Sequence, residues 1–296
     1  MKNFVYGLLF ILAFVTLDLC AQEKSIYSRD NLIAWCVVPF DNMERTPAER
    51  AEMLKRLGFT KFAYDWRAKH VASLPEEITA LKKNDVALSA VWIWIEPQTS
   101  GEVLDSLNTE IFRIVKSNNV KTDFWIGFSN NNFKDLNEEG KMAKAVSSVK
   151  DLEKRARDIG CTISLYNHGD WFGEPENMIR IIQNTGSKNV GIVYNFHHAH
   201  EQINAFPELL KKMLPYLRTV NINGMKADGP KILTVGEGNL ESKMLQTLQA
   251  SGFKGTVGII GHTEGEDIEK VLHRNLQGLQ SVLTSINDQQ ALRTFR

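Results

Sequence analysis

Hydrophobic residues along this chain follow two periods in turn. Stretches with apolar positions three and four apart, which give one buried helix face, lead into short, nearly continuous apolar runs, as strands buried on both faces require. The phrase recurs as "MLKRLGFTKFAYDW", "LEKRARDIGCTISLYN" and "LQTLQASGFKGTVGII". Gly58, Gly160 and Gly252 fall between helix and run, where a left-handed residue ends a helix. Residues 207–217 start with Pro207 and set Leu209, Leu210, Met213, Leu214 and Leu217 on one face; Ile268, Leu272, Leu276, Leu279 and Leu283 do the same later. The apolar runs predict strands near 32–38, 60–65, 87–94, 122–127, 161–166, 190–195, 218–223 and 256–260. Eight alternating units predict an α/β fold, a single-domain (β/α)8 barrel over residues 22–296. No glycine-rich phosphate fingerprint follows the first run, which argues against both a doubly wound sheet and a nucleotide cofactor.

The start of the chain breaks this rhythm. Lys2, an apolar run from Phe4 to Leu17 and then small residues read as a signal peptide over residues 1–21, cut between Ala21 and Gln22. The run is shorter than the ~20 residues of a membrane span, so a secreted or periplasmic protein is expected, not an integral membrane one. A lipoprotein modified at Cys20 fits less well, because Asp18 and Leu19 precede it. Cys36 and Cys161 remain, in predicted strands one and five, which face each other across a barrel beyond disulfide reach. Two buried thiols are expected. Charge adds an exclusion: 35 basic and 35 acidic residues cancel, leaving no electrostatic footprint for nucleic acid.

In a (β/α)8 barrel the chemistry sits where strands run into the following loops. Those ends read "PFDN", "DWR", "EPQ", "FSNNN", "NHGDWFGE", "NFHHAH", "NGM" and "GHTEGE", and they hold five of the seven histidines: His168, His197, His198, His200 and His262. All six tryptophans lie in strands or just beyond them. Ring faces beside amides suit a carbohydrate, whose CH faces stack while its hydroxyls need polar partners. Trp35, Trp92 and Trp125 read as barrel filling, Trp66 and Trp171 as ligand contacts. Asp65 and Arg67 are expected to pair with each other across the rim, and Glu174 reads as a feature of a helix start.

At "SLYNHGDW", "VYNFHHAH" and "TVGEGNLESKMLQTLQASGFKG" the chain resembles the xylose isomerase-like barrels of the sugar phosphate isomerase/epimerase superfamily, over roughly residues 30–285. In that family strand five ends in Glu-Asn-His, strand six in Asp-x-x-His, strand seven in His and strand eight in Glu, a set that holds a divalent metal. Here Tyr166 stands at the first glutamate while Asn167 and His168 match. Asn195 stands at the aspartate while His198 matches, Asn221 and Asn223 replace the strand-seven histidine, and Gly261 or His262 replaces the last glutamate. With the acidic cage gone, a site of His168, His198 and His262 would suit a softer divalent metal of the Zn, Mn or Co type over Mg²⁺. Alternatively the imidazoles act directly on protons.

The resemblance implies a sugar isomerase, epimerase or keto-sugar lyase/hydratase working by proton abstraction beside a carbonyl. Its candidate catalytic residues are His168, His198 and Glu237, the last of which reads equally as loop scaffold in "VGEGN". Candidate substrate contacts are Trp66, Asn167, Trp171, Asn195, His200 and Asn223, with a small carbohydrate as the expected partner. The competing reading is a non-catalytic sugar-binding barrel that has lost its metal site. A nuclease, known elsewhere in the superfamily, is disfavoured by neutral charge, expected export and the missing carboxylates.

Overall fold

The computed structural model describes residues 24–295. The expected signal peptide at residues 1–21 lies outside them. Eight parallel strands close into a barrel in sequence order: β1 Leu32–Trp35, β2 Lys61–Tyr64, β3 Ala87–Ile95, β4 Asp123–Phe128, β5 Thr162–Tyr166, β6 Val190–Asn195, β7 Leu217–Ile222 and β8 Thr256–Ile260. Closure runs through β1 and β8, with Leu32 opposite Val257 and Trp35 opposite Ile260. The helices around it are α1 Pro47–Arg56, α2 Leu74–Lys83, α3 Ser106–Ser117, α4 Glu138–Asp158, α5 Asp170–Gly173, α6 Pro175–Thr185, α7 Phe206–Met213, α8 Glu241–Ala250, α9 Ile268–Ser285 and α10 Gln289–Leu292. Among the described residues no helix is long and apolar enough to cross a membrane.

Every predicted strand is present, and Gly58, Gly160 and Gly252 have φ of 74°, 72° and 78°. The first strand is shorter than expected because Cys36, with φ 56°, leaves the extended region and turns the chain into a short 3-10 helix, Val38–Phe40. Both cysteines are free and buried. Trp125 and Tyr166 are among the largest fully buried side chains, with ring centroids 6.1 Å apart. The lower end of the barrel is polar: half-buried Asp123 accepts hydrogen bonds from Thr162 Oγ1 and Ser164 Oγ at 2.6 Å and meets Arg218 at 3.3 Å.

Outside the barrel, α1 and α2 share a buried ion pair. The Arg50 Nη2 donates to Glu77 Oε2 at 2.7 Å, its Nε spans both carboxylate oxygens, and its Nη1 reaches the Arg45 carbonyl at 2.8 Å. Almost none of either side chain reaches solvent. Such a pair stands only when its hydrogen bonds are complete, since desolvating two charges is expensive.

Candidate active site

The upper rim of the barrel opens into a cavity of about 600 Å³, a size usual for small-molecule sites. Its floor is built where β5 and β6 end. Tyr166 is buried, and its hydroxyl accepts from Trp35 Nε1 at 3.0 Å and from the Asn195 side-chain amide. Asn195 needs its Nδ2 for that bond, while its Oδ1 accepts from His197 N at 3.0 Å. An amide can serve both partners; a carboxylate could not donate to the tyrosine. Burial holds the Tyr166 hydroxyl far above its usual range, so it stays protonated.

His168 follows a tight turn, its N–H donating to the Tyr166 carbonyl at 2.8 Å. Its ring stands edge-on to Trp94 at 4.8 Å and 4.4 Å from His198. His198 lies 4.5 Å from His197, and His197 lies 5.1 Å from His262, whose ring packs 4.0 Å from Phe40. Four imidazoles therefore form a row around the rim from β5 to β8. His197 stands inside that row, between His198 and His262.

Protons are hard to place on such a row. Burial lowers the pKa of His168, His197, His198 and His262, and neighbouring imidazoles lower the last three further. His198, with a ring on either side, is pushed down to about 2, and His262 to about 4. His168 has the Asp170 charge favouring its protonated form. At neutral pH the row is a set of uncharged proton acceptors.

A stability effect follows with a definite sign. A histidine depressed in the folded state binds its proton more readily unfolded, so stability falls as pH drops below the unfolded value of ~6.5. For His198 the slope is at most about 1.4 kcal/mol per pH unit, lessened by solvent in the cavity. Denaturation midpoints measured from pH 7 to 5 should fall less steeply in His198→Gln than in the parent protein; equal slopes would contradict the assignment.

The expected metal trio is not assembled. His262 is separated from His198 by His197, whose ring centroid lies 4.5 Å from the one and 5.1 Å from the other. Among the described residues no group of three or more His, Cys, Asp or Glu side chains is disposed to hold a metal ion. The placement of these side chains, with no carboxylate among the rim histidines, thus does not fit the divalent ion that the family resemblance implies.

Other expected residues divide sharply. His168, Asn195, His198, His200 and His262 line the cavity. Asn167 does not: its Oδ1 and Nδ2 bond the Asn195 backbone at 2.7 and 3.1 Å, clamping β5 to β6. Trp66 is spent on the Trp92 carbonyl at 2.7 Å, and Trp171 on the Glu138 carboxylate at 2.8 Å. Asn223 donates to the carbonyls of Gly224 and Lys231, and exposed Glu237 accepts from Thr234 N within its own loop. None of these five lines the cavity, and each of them spends at least one side-chain polar atom on a bond inside the protein.

Two readings of charged groups also change. Glu174 stands at the start of α6, as expected, but makes no side-chain cap bond there; it also lines the cavity and accepts from Gln202 at 3.0 Å. Asp65 and Arg67 both line the cavity but form no ion pair; Arg67 instead lies over the Phe40 ring at 5.7 Å. Lys231 and Cys36 join the lining unannounced. Lys231 comes from a long irregular loop without a periodic signal, and Cys36 owes its place to the backbone turn at its own Cα.

Comparison with known proteins places this geometry. A family model described as xylose isomerase-like TIM barrel matches residues 104–281. A relative of 28% identity over 120 residues is the uncharacterized protein MJ1311 of Methanocaldococcus jannaschii; the match spans 38% of this chain and 41% of that protein. Among solved structures, 3-keto-D-glucoside 4-epimerase YcjR from E. coli superposes with a TM-score of 0.64 at 17% identity, covering 86% of this chain and 99% of that one. The probable 3-DHS dehydratase AsbF from Bacillus anthracis gives 0.64 at 11%, covering 84% and 98%.

Proposed function

The chain belongs to the xylose isomerase-like TIM-barrel family, and from that premise we propose that its rim cavity moves a proton next to the carbonyl of a sugar or keto-sugar, as an isomerase, epimerase or lyase/hydratase would. The observation that carries this reading is the neutral His168–His198 pair, 4.4 Å apart, in an aromatic-walled cavity. An epimerase and a dehydratase among the structural neighbours, each named for chemistry on a carbonyl-bearing or hydroxylated substrate, support it by analogy of fold.

His168 is the better acceptor of the two. It has one imidazole neighbour in the row where His198 has two, and Asp170 stabilises its protonated form. An imidazole that is neutral at working pH can take a carbon-bound proton without first losing one. His198 then bonds a substrate hydroxyl beside it, and Trp35, Trp92 and Phe40 offer faces for the sugar's CH groups.

The test is exchange of the substrate's α-proton with deuterium from solvent, screened over aldoses, ketoses and 3-keto sugars and coupled to elemental analysis of the protein. Exchange with at least one compound is expected; binding of sugars with no exchange by any would favour a non-catalytic sugar-binding barrel. Export completes the proposal: mass analysis of the mature protein should find a chain starting at Gln22, and a chain retaining Met1 would refute it.

A further inference from the structure

Proton abstraction beside a carbonyl leaves negative charge on the oxygen, and that oxygen needs an electrophile. The imidazole row supplies acceptors, and the placement of its side chains does not fit a metal. Across the cavity from the β6 histidines stands a buried carboxyl group. Asp65 follows β2, which in an eight-strand barrel lies opposite β6. Its side chain is 3% exposed, yet it lines the cavity. Its Oδ1 accepts from Val37 N at 3.1 Å and Val38 N at 3.2 Å, while its Oδ2 is buried without any partner.

This arrangement has a visible cost. Cys36 is held at φ 56°, a left-handed position disfavoured for a residue with a Cβ, and Val37 follows in the right-handed region at φ −109°, ψ −56°. That succession points two consecutive N–H groups at one spot, forming a nest for an oxygen. The oxygen it holds is Asp65 Oδ1, so the strained turn fixes the carboxyl plane and leaves Oδ2, just beneath the cavity surface that Asp65 lines, as the oxygen without a partner. A buried polar atom without a partner is expensive unless a ligand completes it.

We propose that Asp65 is the oxygen-side proton donor of this site, giving its Oδ2 proton to the substrate carbonyl as His168 removes the proton from the adjacent carbon. This rests on the proton-transfer reading given above. The imidazole nitrogen takes the carbon-bound proton, and the C–H electron pair becomes the C=C of an enediol. The carbonyl π pair moves to oxygen, which gains the proton from Oδ2 and leaves Asp65 as carboxylate. Return of the first proton to carbon, with an enediol O–H proton passing back to Oδ2, completes the reaction with no net oxidation.

The environment keeps such a donor available. Burial pushes the Asp65 carboxyl up to about 6, opposed by the Val37 and Val38 N–H groups and by Arg67. Cys36 and Tyr64 are the other titratable groups beside it, and burial holds both of them neutral in this range. The donor is therefore lost as pH rises through about 6, whereas the His168 acceptor is gained as pH rises through its own lowered value.

Two measurements on the full chain test this. In the deuterium-exchange assay, Asp65→Asn, which keeps an acceptor for Val37 and Val38, should slow exchange by about 10²–10³-fold with KM changed less than about threefold, and should remove the falling alkaline limb of the rate profile. Carbon-13 NMR of labelled aspartate should show the Asp65 carboxyl titrating near 6, rising by about one unit when 3-keto-D-glucose is added as a neutral carbonyl probe. An unchanged titration, or an Asp65→Asn protein with the parent rate, overturns the assignment. A shifted titration in a protein that exchanges no substrate would support Asp65 at the oxygen while sinking the proton-transfer reading itself.

Discussion

Replacing His168 with Gln should slow α-proton exchange by about 10²–10⁴-fold, the usual worth of a positioned general base, while the fold persists. The reasons lie in the ring's surroundings. The turn that carries His168 is held by its backbone N–H on the Tyr166 carbonyl, and Asn167 clamps the strand ends independently of the ring. Gln keeps a polar side chain of similar reach and cannot carry the proton. Replacing His198 with Gln should cost less in rate and more in KM, because His198 is too weakly basic to be the acceptor and serves to orient a hydroxyl. Steady-state rates across pH 5–9 check both: in the parent protein the rising limb belongs to His168, and it should vanish with that side chain. Parent-like exchange in His168→Gln would remove the basis for the proposed function.

The second large effect concerns stability. Glu77→Ala should lower unfolding stability by about 3–5 kcal/mol, because it strands the Arg50 guanidinium in a nearly dry space between α1 and α2. Arg50 keeps only the Arg45 carbonyl as a partner, which cannot neutralise it. The double change Arg50→Met with Glu77→Leu should recover most of the loss, since the charge and its partner leave together and apolar volume replaces them. Urea denaturation midpoints of the three variants decide the matter. Additive losses in the double variant would mean that each residue acts separately. Activity should be unaffected in the folded protein, as neither side chain lines the cavity.

Much of the barrel could be read from the chain because the rule is local. A strand buried on both faces needs an apolar run, a helix needs apolar residues three and four apart, and a glycine marks the joint, so all eight strands were legible. The rim was legible in part. His168, His198 and His262 could be placed at strand ends, but which imidazoles adjoin depends on loop paths, and His197 entered the row through a short 3-10 turn that no periodicity announces. Asn167, Trp66 and Trp171 had the right chemistry for a sugar and were taken up by scaffold bonds instead. Asp65 was misread in the other direction: sequence proximity suggested pairing with Arg67, while two backbone N–H groups 27 and 28 residues away took that oxygen.

Loops at the upper rim of such barrels are commonly treated as exchangeable parts on a fixed scaffold. The segment between β7 and α8 is a poor candidate for that use. The Glu241 carboxylate at the start of α8 accepts from the N–H groups of Met225, Gly236 and Gly238, and Asn275 on α9 accepts from Val235 N at 3.0 Å. At Gly278 on α9 a single added methyl carbon would stand 1.6 Å from the Val235 carbonyl oxygen. The loop that brings Lys231 to the cavity is thus moulded onto a helix that follows it by some thirty residues. Grafting new specificity here means transplanting α9 together with the loop, so the exchangeable unit in this protein is the last quarter of the barrel.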